Sequence, residues 1–146
     1  MYPILVSAHS GLRWLVLLFL LLAIFSSLSK WQGNKPYTAN DKRFSLFALI
    51  FTHIQLILGL VLYFISPKVR FSGDVMGNTL LRFYTVEHIT LMLIAIVLIT
   101  MGYSRAKRAT TDIAKFKKTF WFYLIGLLLI LVSIPWPFRN LGAGWY

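Results

Sequence analysis

Three histidines are the residues of this sequence best suited to bind a cofactor, and each lies within a long apolar stretch. His9, His53 and His88 are the only histidines in the 146-residue chain. A neutral imidazole nitrogen is the commonest metal ligand in proteins, and ionisable residues inside a membrane mark functional sites by default. Arg13 follows His9 by one helical turn, and His88 is preceded by Glu87, the single glutamate. These five residues define the candidate site.

Four apolar segments carry these residues and indicate the fold class. Hydrophobic residues make up 58% of the chain and the mean hydropathy is +0.73, which is too apolar for a soluble domain of this size. A bilayer core about 30 Å thick requires roughly 20 apolar residues of helix. We predict a single transmembrane domain over residues 1–146, an all-α, integral membrane four-helix up-down bundle in contact with the lipid bilayer. Its spans are predicted at about residues 4–28, 44–65, 83–103 and 119–136.

Lysine and arginine predict the orientation of the spans. The loops after the first and third spans carry ten of them: Lys30, Lys35, Lys42, Arg43, Arg105, Lys107, Arg108, Lys115, Lys117 and Lys118. The opposite side carries four: Lys68, Arg70, Arg82 and Arg139. The positive-inside rule therefore predicts a bacterial inner-membrane protein with both termini on the outer, periplasmic side. This distribution explains the formal charge of +11 without nucleic acid, for which no motif is present. We also expect the first span to be retained, because no basic residues precede it as they do in a signal peptide.

His9 and His88 are predicted to lie at one depth in the bilayer. Each lies about five residues from the outer end of its span, or roughly 8 Å at about 1.5 Å per residue. A faint repeat relates LILGLVLYFISPKVR in the second span to LIGLLLILVSIPWPFR in the fourth. Two helix hairpins of the same sense would make His9 and His88 face each other across the bundle. His53 is predicted to lie about 8–10 Å deeper.

Two facing imidazoles favour haem b, because its iron takes one axial nitrogen on each face. The porphyrin needs aromatic and aliphatic walls, to which Trp14 could contribute near the outer layer. Its two propionates need cations, and Arg13 and Arg82 lie at the right level. Arg13 could instead pair with Glu87 or extend to the outer surface. Because the chain has no cysteine, iron–sulfur clusters, zinc thiolates and haem attachment through cysteine are excluded.

Three segments carry a resemblance to a known group: HSGLRWLVL, FTHIQLILGLVLYF and VEHITLMLIAIVLITMGYSRAKR. They resemble the small four-helix, cytochrome b-like integral membrane proteins of Bacteroidetes-type bacteria, and the resemblance covers nearly the whole chain. It implies haem b and membrane electron transfer by an electron carrier rather than a stand-alone enzyme. A quinone or a respiratory-chain protein would be the partner. The matching positions are His9, Arg13, Trp14, His53, Gln55, Gly59, Glu87 and His88.

Three alternatives stay open from the sequence. The haem ligands could include His53 together with His9 or His88. A haem-free site for zinc, copper or iron could use His9, Glu87 and His88, although neighbouring residues on a helix point about 100° apart. A structural or accessory subunit of a larger membrane complex, or of a homo-oligomer, would also suit a small basic protein with no soluble domain.

Overall fold

The computed structural model describes residues 1–145 and consists mainly of helices. Four long helices run up and down in turn: α1 (Tyr2–Gln32), α2 (Ala39–Ile65), α3 (Thr79–Arg108) and α4 (Asp112–Ser133). No β-strand occurs within residues 1–145. The predicted all-α, up-down four-helix bundle is therefore confirmed.

The outer surface of the bundle is apolar. All four helices are long and apolar enough to cross a membrane. Large apolar side chains on all four helices are more than half exposed, including Phe25 (64%), Ile57 (62%), Val97 (55%) and Val132 (65%). A helix at the surface of a soluble protein would carry polar side chains there. The chain is therefore a multi-pass membrane protein whose exposed surface contacts lipid.

The two ends of the bundle are formed by different parts of the chain. The first residues of α1 and the segment 137–145 lie together at one end of the bundle, which we call the terminal end. There the Tyr2 and Ser66 hydroxyls are 3.0 Å apart and Lys68 Nζ donates to the Gly142 carbonyl. The connections 33–38 and 109–111 form the other end, which we call the loop end.

Asp41 holds the first two helices together at the loop end. Its carboxylate accepts the backbone N–H of Thr38 at 2.8 Å and so caps the start of α2. The same carboxylate accepts Lys30 Nζ at 2.7 Å and Ser26 Oγ at 2.7 Å, both from α1. One buried acidic group therefore caps the start of α2 and connects it to the last turns of α1.

The observed helices extend beyond most of the predicted spans for local reasons. α3 starts at Thr79 rather than near residue 83, because the Asn78 side chain accepts the Leu81 N–H at 3.1 Å. α4 starts at Asp112, well before residue 119, and ends at Ser133 instead of continuing to residue 136. Its end follows from Pro135, which disfavours helical backbone at Ile134, where ψ is 131°.

Three of the four seams between neighbouring helices are closely packed. α1 packs against both α2 and α4, and α4 packs against α3, whereas α2 and α3 touch only sparsely. Glycines allow the close approach of α3 and α4: a methyl group at Gly126 would lie 2.8 Å from Ile99 Cγ1. Small residues at such contacts are typical of membrane helices. The sparse α2–α3 seam is where the fold leaves room for a cavity.

The α3–α4 contact predicts a difference between two glycine substitutions. A methyl group in Gly102→Ala would overlap Phe122 Cβ, and overpacking of this kind costs about 1–3 kcal/mol. In Gly11→Ala the added methyl meets no atom within 4 Å. We expect a lower thermal unfolding midpoint in detergent for Gly102→Ala than for Gly11→Ala. Equal midpoints would contradict the packing described for this seam.

Candidate functional site

A cavity lies at the terminal end of the bundle, between α1, α2 and α3. Its volume is about 200 Å³. Residues 142–144 cover part of it. Most of its wall surface is apolar, and the polar side chains of the wall include His9, Gln55 and His88. A largely apolar cavity with a few converging polar groups is typical of a ligand site.

The structure brings His9 of α1 and His88 of α3 together in this cavity. Their ring centroids are 6.4 Å apart and their planes are inclined by 74°. A metal–imidazole bond is about 2 Å long and the bonding nitrogen lies about 1 Å from the ring centre, so two imidazoles on opposite sides of one metal have centroids about 6 Å apart. The observed separation is compatible with a single metal ion between the two rings.

The hydrogen bond to His88 determines which of its nitrogens is free. Nδ1 lies 2.8 Å from the carbonyl oxygen of Ser133 on α4. A carbonyl can only accept, so Nδ1 carries the proton and Nε2 keeps its lone pair. A metal-binding histidine almost always has its other ring nitrogen held in this way. Ser133 is fully buried, so this support is protected from solvent.

The His9 ring lies against a glycine on α2. A Cβ atom at Gly59 would lie only 3.0 Å from His9 Cε1. Gln55, one turn away from Gly59, donates from Nε2 to the His9 backbone carbonyl at 2.7 Å. Within residues 1–145, His9 Nδ1 and Gln55 Oε1 are buried without a hydrogen-bond partner. Because an unsatisfied buried polar atom costs about 1–3 kcal/mol, these two atoms mark a place where a bound group would stabilise the fold.

A π-helical turn precedes His88 and was not expected from the sequence. Residues Phe83–Glu87 form this turn within α3. Such turns add a residue to an α-helix and are frequent at functional sites. The Phe83 and Tyr84 rings lie 5.8 Å and 6.4 Å from the His88 ring. The amino-acid composition of residues 83–87 does not distinguish this turn from an ordinary helix, and the sequence predicted only that a span begins at residue 83.

Arg13 is buried and holds the C-terminal segment. Its Nη2 donates to the carbonyls of Gly144 at 3.1 Å and Trp145 at 2.5 Å. Its guanidinium carbon lies 5.4 Å and 5.8 Å from the centres of the Trp14 and Trp136 rings. Arg13 therefore does not pair with Glu87, which is bound by Arg82, and it does not reach solvent. It is 7% exposed, lies among carbonyls and indoles, and belongs to the cavity wall.

Trp14 and the Arg82–Glu87 pair lie outside the cavity. Trp14 donates from Nε1 to the Trp145 carbonyl at 3.0 Å and stacks on the Trp145 ring. Arg82 Nε is 2.8 Å from Glu87 Oε1 in a partly exposed ion pair. Within residues 1–145 no three metal-binding side chains converge. Glu87 therefore does not join His9 and His88 as the third ligand that the haem-free metal hypothesis requires.

Lys68 is a second cation on the cavity wall that sequence reasoning did not select. Its Nζ donates to the Gly142 carbonyl at 2.5 Å and lies 4.9 Å from the centre of the Tyr84 ring. Burial lowers the pKa of this ammonium group. In the sequence, Lys68 follows Pro67 directly after α2 and contributes only to the prediction of orientation. The one feature that could have identified it as a site residue is its position next to the outer end of the second span.

His53 lies away from the cavity. Its Nδ1 is 2.8 Å from the Leu49 carbonyl of its own helix. Its Nε2 is 3.5 Å from Thr100 Oγ1, across the α2–α3 seam. The Thr100 hydroxyl donates to the Ile96 carbonyl at 2.7 Å, so its contact with His53 is weak. The structure therefore brings two of the three histidines together and leaves the third separate.

Comparison with models of protein families, with curated proteins and with solved structures finds no match for this chain.

The contacts of Arg13 predict how the C-terminal segment responds to its loss. In Arg13→Leu the carbonyls of Gly144 and Trp145 lose their charged donor, so we expect faster amide hydrogen exchange around residues 141–145. Arg13→Lys should restore only part of the protection, because lysine lacks the planar fork of donors. Arg82→Leu is the matched control, since it removes an arginine at the same end of the bundle. Unchanged exchange in Arg13→Leu would contradict this role.

Proposed function

We propose that this chain is a membrane-integral electron-transfer protein that binds one haem b through His9 and His88. The observation that carries the proposal is the 6.4 Å separation of their ring centroids inside a mostly apolar cavity. The resemblance of the sequence to cytochrome b-like membrane proteins points in the same direction.

The surrounding residues suit such a group. The Ser133 carbonyl orients His88 with Nε2 free, and Gly59 leaves room for the His9 ring beside α2. Bound haem b would supply a reversible one-electron change at iron. Arg13 and Lys68 are the cations of the cavity wall and would face the negatively charged propionates.

Arg82 is a weaker candidate for this role than the sequence suggested. It already neutralises Glu87 at 2.8 Å and donates from Nη1 to the Met76 carbonyl at 3.1 Å. Trp14 supports the site indirectly, because it shares the Trp145 carbonyl with Arg13. His53, at the α2–α3 seam, is the group best suited to bind the reduced form of a quinone partner: its Nδ1 donates to the Leu49 carbonyl, so its Nε2 could accept from a quinol hydroxyl.

The orientation and location of the protein also belong to this proposal. The excess of lysine and arginine at the loop end supports a bacterial inner membrane with that end in the cytoplasm. The haem site would then lie in the outer leaflet, near the periplasm.

Reporter fusions test the orientation. Fusions after Lys35 and after Lys115 should both report a cytoplasmic location, because both positions lie at the basic loop end. A fusion after Gly142, at the terminal end, should report the periplasm and serves as the control. A periplasmic signal from either loop-end fusion would overturn the orientation.

Absorption spectra of histidine variants test the haem proposal. The purified protein, expressed with haem supplied, should show sharp low-spin b-type bands in its reduced-minus-oxidised spectrum. His9→Ala and His88→Ala should each abolish the low-spin signature, because iron with a single axial imidazole becomes high-spin. His53→Ala should retain it and is the matched control.

Two results would count against this assignment. Loss of the low-spin bands in His53→Ala with retention in His9→Ala or His88→Ala would mean that the ligand pair is wrong. Absence of haem from the wild type as well as the variants would favour a haem-free accessory subunit.

A further inference from the structure

A second pocket lies at the loop end, where it is separate from the histidine cavity. It is formed between α2, α3 and the start of α4, together with the connection 33–38. Its wall includes Tyr37, Lys42, Ser45, Tyr103, Lys107 and Lys115. It contains about 110 Å³ open to the centres of water molecules. Since one water needs about 10–15 Å³ by this measure, the pocket has room for a phosphate group.

Three lysines converge on this pocket without a carboxylate partner. The only ion pairs within residues 1–145 are Lys30–Asp41 and Arg82–Glu87. Asp41, the acidic residue next to Lys42 in sequence, is already bound by Lys30 and by Ser26 and Thr38. Asp112, one turn before Lys115, forms no ion pair. The pocket therefore carries an uncompensated positive charge.

Aromatic side chains hold one of these lysines in place. Lys115 Nζ lies 5.1 Å from the centre of the Tyr37 ring, and Tyr37 packs on buried Phe116 with ring centroids 5.2 Å apart. Burial raises the pKa of the Tyr37 phenol, so its hydroxyl stays protonated and can donate at neutral pH. Tyr103 brings a second phenol from α3. The pocket wall thus combines three lysines with hydroxyl-bearing side chains, a set of residues that suits phosphate oxygens.

The position of the pocket along the helices points to the source of such a group. Lys42 and Lys115 lie in the first turns of α2 and α4, and Lys107 lies in the last turn of α3. These turns end the membrane-spanning segments, at the level of the lipid headgroups. Basic pockets between membrane helices commonly bind anionic headgroups.

We propose that this pocket binds the phosphate group of an anionic phospholipid. The proposal is independent of haem binding, because no residue of the pocket lines the histidine cavity.

Native mass spectrometry of the detergent-solubilised full chain, titrated with dioleoyl phosphatidylglycerol, tests this site. Lys107→Gln and Lys115→Gln should each weaken binding about fivefold, the effect of about one lysine near an anionic surface. Lys118→Gln removes the same charge from the same basic region but outside the pocket, and it should bind as the wild type does. Circular dichroism melts of the three variants establish that each is folded.

Two further measurements, a titration with a zwitterionic lipid and a competition with inorganic phosphate, identify the ligand. Zwitterionic dioleoyl phosphatidylcholine should bind at least fivefold more weakly than phosphatidylglycerol, and inorganic phosphate at the same concentration should not displace the lipid. If Lys118→Gln weakened phosphatidylglycerol binding as much as the two pocket variants, the lipid would be held only by diffuse attraction to the basic region. That result would overturn the proposed site. Displacement by inorganic phosphate, lost in the same two pocket variants, would overturn the lipid as the source.

Discussion

The sparse contact between α2 and α3 is the constraint on which the rest of the molecule depends. α1 packs against α2 and α4, and α4 packs against α3, so the bundle is closed on three sides. The cavity lies at the fourth side, and His9 and His88 are part of its wall. Within residues 1–145, two side-chain hydrogen bonds cross this seam: Tyr63 donates to the Thr85 carbonyl at 2.8 Å, and His53 makes its weak contact with Thr100. If α2 and α3 packed as closely as α3 and α4, the two facing imidazoles would have no space between or beside them.

Polar groups in this apolar molecule are stabilised by backbone carbonyls more than by opposite charges. Arg13 donates to two carbonyls, His88 to the Ser133 carbonyl and Tyr123 to the Ser45 carbonyl at 2.7 Å. In lipid, a polar side chain without such a partner would cost several kcal/mol. The chain has only four acidic residues, so carbonyls are the abundant acceptors. Within residues 1–145, four buried side-chain atoms lack a hydrogen-bond partner, and three of them belong to residues of the cavity wall: His9 Nδ1, Arg13 Nε and Gln55 Oε1, whereas Thr119 Oγ1 lies elsewhere.

Much of the architecture could be predicted from residue order alone, because the bilayer leaves few choices. An apolar segment of about 20 residues in lipid must become a helix, and four such segments joined by short loops must alternate in direction. Counting residues from the ends of the predicted spans gave His9 and His88 one depth and His53 another. In the structure the rings of His9 and His88 lie 6.4 Å apart, and His53 lies outside their cavity.

What the sequence determined by itself is therefore the number of the long helices, their up-down alternation and the position of each residue along its helix, since these follow from hydrophobic length and helical rise. Only the tertiary structure decided which groups meet. Arg13 binds carbonyls near the end of the chain, more than 130 positions away, and Lys68 reaches Gly142. A π turn at Phe83–Glu87 alters the helical register just before His88, although nothing in the local composition signals it. Hydrophobic patterning sets depth along a helix, but rotation about its axis and contacts between distant segments depend on side-chain packing, which residue order alone does not specify.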